Sequence, residues 1–151
     1  MTDSVLHLHR IDPQPSPAVR DACAGLGAAA QVVQATQDLY RRRGFVPPWA
    51  CYLAEKDARI VGTCGFAGPP VHGEAEIAYF TFPGNEGQGI ARQMAAALMR
   101  EARRTATAEV FIAHTLAQEG PSTAILRRLG FEHLGAVEHP EDGLVWKWRE
   151  R

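Results

Sequence analysis

Leu6 and Leu8 alternate with His7 and His9, the period-2 pattern of a short half-buried strand. Asp12-Pro13-Gln14-Pro15-Ser16-Pro17 then interrupts regular structure and marks a turn between elements. Pro17 suits the first turn of a helix that the pattern carries through Cys23, and residues 31–43 form a second helical stretch stopped by Gly44. Residues 51–55 and 59–66, parted by a Lys56-Asp57 turn, predict an antiparallel hairpin; residues 74–82 predict a further strand after the Gly68-Pro69-Pro70 loop. From Gly89 the period changes from 2 to 3.6. Ile90, Met94, Leu98 and Ala102 line one helix face, and Ala95-Ala96-Ala97 permits close approach to a sheet. Residues 109–113 predict a strand, residues 121–129 a helix opened by Pro121 and closed by Gly130, and residues 144–149 a final strand. The order is β-α-α-β-β-β-α-β-α-β, with room for one more strand at residues 133–137.

No repeat or low-complexity linker divides these elements, so residues 1–151 are expected to form one domain. A chain of 151 residues buries enough surface to fold without a disulfide or metal staple. Hydrophobic residues at 46% and charged residues at 22% exclude a disordered or fibrous protein. Sixteen Lys and Arg against seventeen Asp and Glu give a net charge of -1, which removes the basic footprint of a nucleic-acid binder or a polybasic membrane anchor. The longest strongly apolar stretches, such as residues 94–99, fall far short of the roughly 20 residues that cross a bilayer. Residues 1–10 lack a signal-peptide core, so the expected setting is the cytoplasm, with no membrane or nucleic-acid partner.

Cys23, Cys51 and Cys64 form an odd set without CxxC spacing or histidines at zinc-ligand spacing, so reduced buried thiols and no metal are expected. His7 and His9 share a strand face but lack a third ligand. Trp146 and Trp148 alternate on the last strand and predict packing against the core or a second copy of the chain, which leaves a homodimer open.

The chemistry-bearing segment runs from Glu76 to Ala91, where a strand enters a glycine-rich turn that opens into a helix. Gly87 and Gly89 let the backbone fold tightly, so unpaired N–H groups converge at the positive end of the helix dipole. A phosphate or pyrophosphate suits such a junction, although a plain glycine turn has the same local sequence. The Lys-Ser/Thr pair of a P-loop and the three early glycines of a Rossmann turn are both missing.

Three motifs agree in order and spacing. Glu76-Ile77-Ala78-Tyr79-Phe80 precedes the loop, Glu86-Gly87-Gln88-Gly89-Ile90-Ala91 forms it, and Ser122 is followed by Ile125-Leu126-Arg127-Arg128-Leu129-Gly130-Phe131. From about residue 51 onward the chain resembles the GNAT superfamily of acetyl-CoA-dependent N-acyltransferases, within it the ribosomal-protein N-terminal acetyltransferase branch. The departures are Glu86 where the family carries Arg or Gln, Glu119 where this branch carries Asn, and Leu126 where a catalytic Tyr often stands.

The resemblance implies an α/β (α+β) fold with a mixed, mostly antiparallel sheet of about six or seven strands and about four helices. It implies acetyl-CoA as cofactor, held by Phe80, Phe82, Gly87, Gln88, Gly89, Ile90, Ala91 and Arg92, with backbone N–H groups near Phe80 to Phe82, that of Phe82 foremost, polarising the thioester. Glu76 takes the place of the general base, although a strand carboxylate can also face solvent or pair with an arginine; Glu74, on the same face, is the alternate. Ser122 either touches the cofactor and relays a proton or bonds the start of its helix. His72 and His114 are further candidate acids or bases or structural histidines. The amine, of a small molecule or a peptide N-terminus, is expected near residues 41–49, where Phe45 and Trp49 either wall the acceptor or pack. Direct transfer in a ternary complex is the expected mechanism, since no cysteine sits in a nucleophile motif. The rival is a catalytically silent module that binds CoA or another anion, motivated by Glu86, Glu119 and the missing tyrosine.

Overall fold

The computed structural model describes residues 5–105 and 110–151. The first strand, β1 (His7–Arg10), leads through the proline-rich joint to α1 (Pro17–Gly25), whose start is fixed by Pro17 and by Ser16 Oγ accepting the Val19 N–H at 3.3 Å. Leu26, extended at φ -148°, separates it from α2 (Gly27–Arg43). The second helix begins at Gly27 rather than at residue 31, because Ala28-Ala29-Ala30 favours helix without displaying a polar face that would reveal it. Strands β2 (Cys51–Lys56) and β3 (Arg59–Phe66) form the hairpin. Its turn falls on Asp57 and Ala58, both left-handed at φ 53° and 62°, and Lys56 stays in the strand.

Next come β4 (Glu74–Thr81), α3 (Ile90–Thr105), β5 (Val110–Leu116), α4 (Pro121–Arg128), β6 (Phe131–His139) and β7 (Gly143–Glu150). Residue 109, expected in the fifth strand, lies outside the described residues. The strands make one seven-stranded sheet in the order β1-β2-β3-β4-β5-β7-β6, antiparallel except for β4 beside β5. With the four helices this is the mixed, mostly antiparallel α/β architecture expected. No helix among the described residues is long and apolar enough to cross a membrane.

The predicted face of α3 is buried: Met94, Leu98 and Ala102 are at 0% exposure and pack with Phe111, Leu126 and Trp148. Close approach is real on the sheet side, since a Cβ on Gly62 would lie 2.6 Å from the Phe80 carbonyl and 3.0 Å from Met94. Trp148 turns inward and donates its indole N–H to Thr115 Oγ1 at 3.0 Å, while His133 stacks against both Trp146 and Trp148, so this face packs within the chain. Cys64 is buried, Cys23 and Cys51 are half-buried, and all three are free thiols.

One irregularity of the sheet positions the site. β4 pairs with β5 only at Glu74–Val110, Ala75–Phe111 and Glu76–Ile112, yet its pairing with β3 continues to Thr81. Beyond Glu76, β4 and β5 therefore part and leave a wedge beside the second half of β4.

Candidate active site

The wedge opens into a cleft of about 530 Å³ bordered by Tyr79, Thr81, the glycine turn, the start of α3 and one face of α4. Gly87 and Gly89 are left-handed at φ 75° and 74°, in a loop where an added Cβ meets nothing within 4 Å; backbone conformation, not space, requires glycine there. Gln93 is the first α3 amide with a helical acceptor, the Gly89 carbonyl, so the amides at residues 90–92 are left over. Arg92 and Arg128 add positive charge to the lining. This donor set fits the anionic diphosphate of a nucleotide cofactor.

Phe80, Gly87, Gly89, Ile90, Ala91, Arg92 and Ser122 all line this cleft; Gln88 belongs to the same turn without lining it. Asn85, Ile125 and Arg128 also line it. The signal for the last two was their spacing of three and six from Ser122, which keeps one face of α4 toward the cleft. Glu86 is less disruptive than its charge suggests. Its carboxylate folds back to accept the Gly84 N–H at 3.0 and 3.2 Å from its two oxygens.

Phe82 is a correction. Its side chain is buried in the smaller apolar cluster with Ile11, Val19 and Leu53, and its N–H donates to the Val61 carbonyl at 2.9 Å. Ala67 N–H likewise reaches the Glu76 carbonyl, so the even-numbered residues of β4 direct their backbone groups at β3. The amides facing the wedge are those of Tyr79 and Thr81, not those of Phe80 and Phe82. Burial pushes the Tyr79 hydroxyl up to about 12, so it stays a neutral phenol.

On the opposite face of β4 lies a second cleft of about 580 Å³, which shares Tyr79 and Phe80 with the first. Glu76 stands in it, 26% exposed, with Oε2 3.0 Å from His114 Nδ1 and 4.0 Å from His139 Nε2. Although that close, His114 Nδ1 is buried and out of line for a hydrogen bond, with no partner among the described residues. The walls come from α2, through Thr36, Arg42 and Arg43, and from Glu141 and Asp142 between β6 and β7. Arg43 ties the two walls by donating to Glu141 at 2.9 Å and to the Ala67 carbonyl at 3.1 Å. Cys51 and Cys64 also line the cleft, and burial pushes both thiols up, so neither is an activated nucleophile.

Three further placements differ from expectation. Glu74 shares a strand face with Glu76 but is held by Lys147 at 3.1 Å and Arg149 at 3.5 Å and lines neither cleft. Phe45 packs on Tyr40 and Trp49 edge-on against Phe66, each with ring centroids 5.0 Å apart; neither lines the second cleft, and of the basic segment only Arg42 and Arg43 do. His72 sits at φ 51° in the turn before β4, away from both clefts. At the departures from the motif, Leu126 is fully buried, and Glu119 makes a bidentate pair with Arg127 at 2.5 and 2.7 Å and accepts from Thr123. These bonds, Arg127 first, pull the Glu119 carboxyl down to about 2.

A splayed parallel strand pair, an amide-rich glycine turn at its mouth and a carboxylate across the strand define a group-transfer enzyme that uses an anionic nucleotide cofactor. The family model of the acetyltransferase (GNAT) domain matches residues 8–132, and the chain belongs to that family. It is an acetyl-CoA-dependent acyltransferase. Among solved structures, the RimL ribosomal L7/L12 alpha-N-protein acetyltransferase in complex with coenzyme A is similar, with 22% identity over 97% of this chain and 93% of that one and a TM-score of 0.69. An acetyltransferase from Salmonella typhimurium that modifies the N-terminal serine of ribosomal protein L7/L12 is similar at 22% identity, covering 97% and 94%, with a TM-score of 0.68. The microcin C7 self-immunity acetyltransferase MccE, with acetyl-CoA and AMP, is similar at 15% identity over 82% and 70%, with a TM-score of 0.64. At these identities the likeness is one of fold. No curated protein sequence matches the chain.

Proposed function

We propose that this protein acetylates a primary amine, of a small molecule or a peptide N-terminus, by direct transfer between the two clefts. The observation that carries this is their meeting along β4 at Tyr79 and Phe80, with Glu76 on the acceptor side and the glycine turn on the other. Acetyl-CoA, when bound, supplies an activated thioester, and its phosphates suit the amides of residues 87–92 together with Arg92 and Arg128. The ammonium form of the acceptor loses a proton to Glu76 and presents its lone pair at the strand. The Tyr79 and Thr81 amides are the donors available to charge developing on the carbonyl oxygen. A C–N bond forms as the C–S bond breaks, and the thiolate, with a pKa of about 8.5, leaves without needing the tyrosine that Leu126 replaces. The second proton on the attacking nitrogen leaves as the amide forms and passes through water to the thiolate, with Ser122 on the cleft wall to relay it. The neighbours that act on a ribosomal protein N-terminus support including peptide N-termini among the acceptors tried.

The test is CoA release and acetyl mass increment on a panel of amines and peptides with the purified full chain. Glu76→Gln is expected to lower kcat/KM by about 10²–10⁴-fold. Tight acetyl-CoA binding without acetylation of any acceptor would overturn the reading in favour of a silent binding module.

A further inference from the structure

Three ligand-type atoms converge beside the second cleft, which Glu76 and His139 line. Glu76 on β4, His114 on β5 and His139 at the end of β6 each offer a donor, and these donors lie within 4.8 Å of one another. Their side chains are 26%, 15% and 18% exposed, and all three stand on strands of one sheet, which fixes their spacing. We propose that they form a site for a divalent transition-metal ion of the zinc class, and that the bound ion excludes the acceptor amine. The exclusion rests on the acceptor reading above; the binding does not.

The geometry of His114 carries the inference. Its Nδ1 lies 3.0 Å from Glu76 Oε2, a hydrogen-bond distance, but it is buried without a hydrogen-bond partner among the described residues because the two atoms do not point at each other. Two donors that address a common ion have that relation. When each is about 2.1 Å from the metal and they subtend 90–110°, they stand about 3.0–3.4 Å apart while their lone pairs converge on a third point. The His114 and His139 rings meet edge to face with centroids 5.1 Å apart, and His139 Nε2 is 4.0 Å from the same Glu76 oxygen, so closing the set requires a small swing of the Glu76 or His139 side chain.

The outer partners agree. A histidine that ligates through Nε2 carries its proton on Nδ1 and needs an acceptor there. The Asp142 carboxylate is 3.4 Å from His139 Nδ1, in the position of such an acceptor. In the other tautomer Nδ1 accepts the Glu141 N–H at 3.2 Å, so the histidine is supported with or without the ion. Of the nearby cations, Arg43 is held by Glu141 and Lys147 by Glu74, and Arg42 on the cleft wall is the one to compete with the ion. Two imidazoles and one carboxylate suit zinc and its neighbours rather than magnesium or calcium, and three protein ligands leave a position for water or another ligand. Because Glu76 is both ligand and proposed base, the ion and the substrate amine compete for it.

The experiment is titration of the EDTA-treated full chain with ZnCl₂ by calorimetry, with Co²⁺ absorption as a second readout. One ion per chain is expected, and His114→Ala and His139→Ala are each expected to weaken binding by more than about tenfold, the scale of losing even an outer-sphere partner. His7→Ala, on the far edge strand, is expected to bind normally. His139 lies at a strand end, so its variant carries the test if His114→Ala fails to fold by circular dichroism. Zinc is further expected to inhibit acetylation competitively against the amine and non-competitively against acetyl-CoA, with reversal by EDTA. Absence of saturable binding overturns the site, as does binding that survives both histidine variants or disappears in Cys51→Ser. Inhibition that competes with acetyl-CoA overturns the exclusion of the amine. An EDTA-treated chain that binds zinc as expected but acetylates nothing overturns the function proposed above and leaves the metal site standing.

Discussion

Glu86 shows how a single side chain can defeat a charge-based expectation. A carboxylate beside bound phosphates costs about 1 kcal/mol at a solvated site, close to a factor of five in affinity. Glu86 lines the cofactor cleft, and its hydrogen bonds to the Gly84 amide share its charge with that donor. Glu86→Arg removes the like charge but also strips the Gly84 N–H of its acceptor. We expect calorimetry to show acetyl-CoA binding tighter by less than about fivefold, with a melting temperature about 1–2 °C lower. Unchanged affinity would mean the side chain is too far from the anion to matter. At this scale, placements that depend on near neighbours were legible: Gly87 and Gly89 are left-handed, and Ser122 lines the same cleft as the glycine turn. Glu74 was not, because its partners Lys147 and Arg149 come from the other end of the chain. His139 carried no local signal either; only the β6–β7 hairpin brings it to Glu76.

Among the elements, α4 is anchored from outside. Gly120 N–H donates to Thr123 Oγ1, and Glu119 grips Arg127, placing a charged clasp over the helix whose face lines the cofactor cleft. The Glu119 carboxyl is lowered from 4.5 to about 2 in the folded chain, so its stabilising contribution is complete above its ordinary value and disappears as pH falls through about 2. Glu119→Gln is accordingly expected to melt no more than a few degrees below the parent at pH 7, as befits an exposed pair. The two melting curves should converge as pH falls from about 4.5 toward 2; a gap that persists at pH 2 would assign the effect to something other than the charge. Element type followed from periodicity, as with α3, whose face Ile90, Met94, Leu98 and Ala102 is the buried one. What periodicity could not supply was backbone parity. Whether Phe82 or Thr81 aims its amide at the wedge depends on the register of β4 against β3, and that is fixed by tertiary pairing of Val61 with Phe82 rather than by anything within β4.

For the whole molecule, the cofactor site should report itself as stability. Acetyl-CoA at about 100 times its dissociation constant adds about 2.7 kcal/mol, which for a chain of this size corresponds to a rise of about 5–10 °C in melting temperature. Free adenosine serves as the control, and no rise at millimolar acetyl-CoA would show that the glycine turn holds no phosphate. The wedge between β4 and β5 gives this coupling a mechanical meaning. Among the described residues, four strands on one side and three on the other are joined by three residue pairs, beyond which the seam opens into the wedge. The sheet thus behaves as two stiff leaves on a short hinge, and an occupant of the gap acts as a splint that resists their opening.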